Sequence, residues 1–145
     1  MKSKVLAVYQ FKIMLLDTDP PVWRRIQVDN YMTLRRFAAV ILAVMGWNNS
    51  HLHRFEIGGK EYGIPDPDGL HDSKDFTDEK KKKLCSFSED DLKKFTFTYD
   101  FGDGWEHDDM LRWIGGKFDP EKFTVRSTNR ALLDIHSIEA SFEGA

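Results

Sequence analysis

The sequence predicts an α+β domain in which an antiparallel or mixed sheet of hairpins packs on one main helix. Three observations carry this. Apolar residues recur at helical spacing from Leu34 to Met45, they alternate with polar ones at a period of two elsewhere, and short glycine- or proline-bearing turns separate the alternating runs. With 145 residues and 41% apolar content, the chain suffices for one compact domain spanning 1–145.

Tyr9, Phe11, Ile13 and Leu15 alternate with Gln10, Lys12 and Met14, the pattern of a half-buried strand. Thr18-Asp-Pro-Pro21 ends it. A second strand, Val22 to Val28, places Val22, Arg24, Ile26 and Val28 on one face and Trp23, Arg25 and Gln27 on the other, so the two form an antiparallel hairpin. Thr33 then caps a helix that closes at Gly46. Because Ala39, Val40, Ala43 and Val44 sit where a surface helix carries charges, a second cover is expected, either another segment or another subunit in a homo-oligomer.

A third strand is expected from His51 to Ile57, turning at Gly58-Gly59 into Glu61 to Ile64. The stretch from Pro65 to Asp75, rich in turn formers and acids, runs on to Lys80–Lys83 and reads as a long exposed loop. Ser88 with Asp91 caps a short helical turn. Phe95, Phe97, Tyr99 and Phe101 define a strand whose partner, Trp105 to Ile114, returns across Gly102-Asp103-Gly104. The tail after Gly115 lacks periodicity, apart from a short helix expected over 129–138.

Composition excludes several classes. The apolar run from Phe37 to Met45 falls far short of the roughly 20 residues that cross a bilayer, and Met1 to Tyr9 has no signal-peptide core, so no membrane association is expected. One cysteine, Cys85, allows no internal disulfide and points to a cytoplasmic location. Net charge is −3 and pI about 5.9, but residues 1–65 carry +4 and residues 66–145 carry −7. That balance disfavours nucleic acid as a partner, although it leaves room for a local basic patch.

Chemistry concentrates in Tyr99-Asp-Phe-Gly-Asp-Gly-Trp-Glu-His107. With a three-residue loop, Phe101 faces Trp105, Asp100 faces Glu106 and Tyr99 faces His107, so one face is aromatic and the other sets carboxylates against each other. A divalent cation held by Asp100, Asp103 and Glu106, a basic side chain such as Arg24 or Arg25 laid over them, or a retained proton would relieve the repulsion. A solvated acidic tip is the plain alternative. His51 and His53, at i and i+2 on a strand, share a face, and His107 lies on an apolar face. Such imidazoles suit metal ligation or proton transfer, and equally suit core positions satisfied by hydrogen bonds. Asp100-Phe-Gly lacks the other kinase signatures, Asp66-Pro-Asp-Gly lacks EF-hand spacing, and no dinucleotide fingerprint, P-loop or nucleophile elbow occurs.

Read together, Pro20-Pro-Val-Trp-Arg-Arg25, Thr33-Leu34, Gly46-Trp47, His51-Leu-His-Arg-Phe55 and Tyr99 to His107 resemble the plasmid pRiA4b ORF-3-like family over about residues 8–114, leaving a divergent tail of 115–145. The family is largely uncharacterised, and transposon-passenger or resolvase-like labels tie some members to mobile elements. What the resemblance implies is limited to position: its matching motif residues are His51, His53, Asp100, Asp103, Trp105, Glu106 and His107, the side chains singled out above on physical grounds. Asp109 departs from it where the family is usually apolar, as does Leu42 where glutamine is common. The leading expectation is a polar pocket that binds a divalent cation or small ligand, in which His53 or His107 moves protons in hydrolytic chemistry. The competing expectation is a non-catalytic interaction module that contacts nucleic acid or a protein through Arg24, Arg25, Arg35, Arg36 and aromatics such as Trp105.

Overall fold

The computed structural model describes residues 7–48, 50–65, 76–117 and 125–127. Its strands are β1 (Ala7–Leu15), β2 (Val22–Asp29), β3 (His53–Ile57), β4 (Lys60–Gly63), β5 (Thr77–Asp78), β6 (Phe95–Tyr99), β7 (Trp105–Lys117) and β8 (Val125–Ser127); its helices are α1 (Leu34–Met45) and the single turn α2 (Glu89–Leu92). The strands form one sheet in the order β5-β4-β3-β6-β7-β1-β2-β8, antiparallel except where β4 meets β5. The fold is therefore α+β and mixed, as expected, but strands dominate it, with one helix of substantial length among the described residues. The helix expected over 129–138, and most of the loop after Pro65, lie outside the described residues.

Capping at both ends of α1 follows the sequence. Thr33 Oγ1 accepts the Arg36 N–H at 3.2 Å, and Gly46 adopts the left-handed conformation (φ +81°) that ends the helix. Phe37 is the centre of the core, with ring centroids 4.8 Å from Phe11, 6.0 Å from Phe55 and 6.2 Å from Phe95, three residues on three different strands. The second cover of α1 comes from the chain itself. Leu34 N–H donates to the Lys82 carbonyl at 2.8 Å and Leu84 N–H to that of Met32 at 2.9 Å, so residues 79–84 pack along the helix, and Val40, Leu42 and Val44 are buried within one chain. A partner subunit is not needed to bury that face. Lys80, Lys81 and Lys83 are exposed as expected, but the run is flanked by 3₁₀ turns at Glu79–Lys81 and Leu84–Ser86 that bury Glu79 and Leu84.

Arg24, placed by alternation on the helix side of β2, donates from Nε to the Val44 carbonyl at 2.9 Å. No basic residue occurs in the last turn of α1, so a strand supplies the cation that the helix C-terminus favours. Because Phe37 joins three strands to the helix, Phe37→Ala should cost about 3–5 kcal/mol, a large part of an ordinary domain's stability. The urea midpoint reads this directly, and a loss below about 1 kcal/mol would contradict the packing described.

Candidate functional site

The β6–β7 connection does not have the expected register. Tyr99 pairs with Trp105, Thr98 with Glu106, Phe97 with His107, Thr96 with Asp108 and Phe95 with Asp109, so the loop is Asp100–Gly104, five residues rather than three. A shift of two leaves every side chain on its face but changes its partner. Glu106 opposes Thr98 instead of Asp100, and the opposed carboxylates on which the cation argument rested are not there. The cause is Asp100 itself. It takes a left-handed conformation (φ +61°), and its Oδ1 accepts the Gly102 N–H at 3.1 Å, while Gly104 N–H returns to its carbonyl at 2.6 Å. Aspartate tolerates this geometry because its short side chain bonds the backbone two residues on.

His107 is wholly buried and both its ring nitrogens are engaged. Trp47 Nε1–H donates to Nε2 at 3.1 Å, which makes Nε2 the acceptor, and Nδ1–H therefore donates to the Phe97 carbonyl at 3.0 Å. Burial holds its pKa below the ordinary imidazole value, consistent with this neutral tautomer. Around it, Trp47 packs against Tyr99 and Trp105 at centroid separations of 5.4 and 5.5 Å. Tyr99 Oη accepts the Ser50 N–H at 3.1 Å and donates to the Asn48 carbonyl at 3.2 Å, and Asp100 N–H donates to that of Leu52 at 2.8 Å. The motif residues thus clasp the segment after α1 to the end of β6 and β7. Trp105, 38% exposed, is the most open of the three aromatic rings Trp47, Tyr99 and Trp105.

His51 lies outside β3, with its side chain 53% exposed and its Nε2 3.7 Å from Asp100 Oδ2, beyond hydrogen-bond range. It does not share the buried face of His53. His53 is buried, and its Nε2–H lies 2.9 Å from both carboxylate oxygens of Glu79. Arg35 Nε donates to Glu79 Oε1 at 2.7 Å, closing a cluster that joins α1, β3 and the first 3₁₀ turn. His53 Nδ1 has no partner among the described residues. Asp103 and Glu106 are exposed, and Arg24 and Arg25 do not lie over the acids: Arg24 holds the helix end, and Arg25 sits 5.8 Å from the Trp23 ring. No group of three or more His, Cys, Asp or Glu suited to a metal occurs among the described residues.

Two buried acids escaped the sequence reading. Glu79 stands beside four lysines, which reads as solvated charge. Asp109 gave a signal, because alternation from Trp105 and His107 puts it on the core face, as its 0% exposure bears out. It lies between Ile13 and Phe95 in the register, neither oxygen has a partner among the described residues, and burial, with Asp108 beside it, raises its pKa well above the usual carboxylate range.

The fold and this corner define a strand-rich α+β domain whose helix end is clasped to a hairpin by an aromatic, histidine-bearing motif. The chain belongs to the plasmid pRiA4b ORF-3-like family, whose model matches residues 7–108. It is 37% identical over 106 residues to the uncharacterised protein y4hQ of Sinorhizobium fredii (strain NBRC 101917 / NGR234), covering 71% of this chain and 52% of that protein, so the chain spans about half the length of this curated relative. It also resembles the crystal structure of MM3350, a protein of unknown function from Methanosarcina mazei Go1, at a TM-score of 0.72 and 30% identity over 89% of this chain and 70% of the other.

Two measurements follow from the buried acids. Below about pH 4, Asp109 is protonated in both states; above it the unfolded chain releases the proton that the fold retains, so stability falls with rising pH by up to about 1.4 kcal/mol per unit from this group. Asp109→Asn should remove that fall, and parallel pH profiles of the two proteins would contradict it. Glu79→Ala leaves Arg35 and His53 facing a void and should cost about 3–5 kcal/mol, with much of the loss recovered when Arg35→Met is added. Additive losses in that double-mutant cycle would refute the coupling.

Proposed function

We propose that this chain is a non-catalytic binding module whose family motif serves its architecture. The observation that carries the reading is the full engagement of His107: an imidazole that bonds Trp47 and Phe97 from within the core has no free nitrogen for a metal or a substrate proton. Its neighbour Glu106 points to the opposite face of the sheet, as adjacent strand residues must, so the sheet itself separates the supposed ligand from the supposed base. Asp100 is committed to its turn and His53 to Glu79. The surface left for a partner is the face of the sheet away from α1.

Against this stands the cation-dependent hydrolytic reading built on Asp100, Asp103 and Glu106. Calorimetric titration with magnesium, calcium, manganese and zinc, run beside turnover assays on ester and phosphoester substrates, separates the two. The module reading expects no saturable heat and no turnover. Stoichiometric binding or metal-dependent hydrolysis that disappears in Asp100→Asn would overturn it.

A further inference from the structure

On the face of the sheet away from α1, the register builds a small grid from β7, β1 and β2: Asp108–Met14–Trp23, Met110–Lys12–Arg25 and Trp113–Gln10–Gln27. None of these nine residues is buried. Trp113 belongs to it only because of a bulge. Leu111 pairs with Phe11 and Trp113 with Gln10, so Arg112 is an extra residue, and the alternation that would have sent Trp113 towards the helix is reversed. The indole that results is 50% exposed and lies against Gly115, where a Cβ would overlap the ring. One side of the ring rests on backbone, which leaves a flat aromatic platform.

Cations stand beside the platform. Lys12 Nζ lies 5.1 Å and the Arg25 guanidinium 5.8 Å from the centre of the Trp23 ring, which holds both against the sheet. Lys12 is one strand across and two residues along from Trp113, about 8 Å at ordinary strand spacing. The acid in the grid, Asp108, is 3.5 Å from Lys94. Further across the same face the charge reverses, with Glu56 opposite Glu61 and Glu106 exposed, so an anionic chain is drawn to the β1–β2 side and repelled from the other.

We infer that this grid binds a single-stranded nucleic acid, with one base stacked on Trp113 and adjacent phosphates held by Lys12 and Arg25. The inference rests on the binding-module reading and names its partner. Of the arginines expected to contact nucleic acid, Arg24, Arg25, Arg35 and Arg36, the grid uses Arg25, while the fold uses Arg24 at the helix end and Arg35 on Glu79.

Fluorescence anisotropy of labelled oligothymidylate and oligouridylate of about twelve nucleotides, titrated with the full chain at about 20 mM salt, tests it. Saturable binding is expected, weakened at least about fivefold by Trp113→Ala and largely kept by Trp113→Phe. Lys12→Gln with Arg25→Gln should weaken it further and lower the salt slope by about 1.4, as two lost phosphate contacts require. Circular dichroism melting confirms that these surface variants fold. Flat anisotropy, indifference to Trp113→Ala, or equal binding of inorganic polyphosphate would overturn the inference. A dimer seen by sedimentation that dissociates in Arg25→Glu would overturn it too, by assigning the face to a second copy. Those failures would leave the module reading standing, whereas metal-dependent turnover would remove that reading whatever the oligonucleotides do.

Discussion

Burying an imidazole costs free energy unless its polar atoms are answered, and for His107 the answer ties three elements together. His107 reaches the Phe97 carbonyl on the neighbouring strand and the Trp47 indole beyond the end of α1. Unmade, either bond would leave a desolvated polar atom at a cost of about 1–3 kcal/mol, so the ring orders the chain around it. The segment after Gly46 is thereby directed across Tyr99, which takes its backbone at Ser50 and Asn48. Arg24 secures the same end of the helix from β2. Tyr99 and His107 thus act with Trp47 as a clasp at this corner of the sheet.

Buried charge is handled in two ways. Glu79 keeps partners in Arg35 and His53, an arrangement that fixes where residues 79–84 cross the helix even though its net contribution to stability is small beside the cost of breaking it. Asp109 has no partner among the described residues and sits between apolar neighbours, where burial raises its pKa well above the usual carboxylate range. The first adds specificity. The second is a local cost that the surrounding core of Phe11, Phe37 and Phe95 offsets.

Period, caps and glycine turns made much of this fold legible. The β1–β2 hairpin, the helix from Thr33 to Gly46, the Gly58-Gly59 turn and the Ser88 cap all depend on local chemistry and stand where that chemistry places them. What local chemistry does not encode was missed. A loop of five residues rather than three depends on Asp100 adopting a left-handed backbone, and the partner of every β7 carboxylate follows from that one torsion. The burial of Glu79 depends on Arg35, 44 residues away in sequence, and nothing in a run of lysines announces it. The bulge at Arg112 exists only in the pairing of β7 with β1, so no reading of β7 alone would place Trp113 on the open face. Of the candidate site residues, His107 meets Trp47 and Phe97 and His53 meets Glu79, whereas Asp103 and Glu106 stay exposed and His51 lies 3.7 Å from Asp100.

The two faces of the sheet divide the labour that follows. One carries the aromatic core, the clasp and the buried acids beneath α1; the other carries the exposed grid of Trp113, Lys12 and Arg25. The account stands or falls on whether His107 is committed inside the first. Nitrogen-resolved NMR of its imidazole is the most direct measurement. A proton on Nδ1 and a bare Nε2 at neutral pH, with a midpoint below the ordinary imidazole value and no response to added zinc, is the predicted result. A ring that titrates freely near the ordinary value of about 6.5, or whose Nε2 resonance moves with zinc, would contradict it.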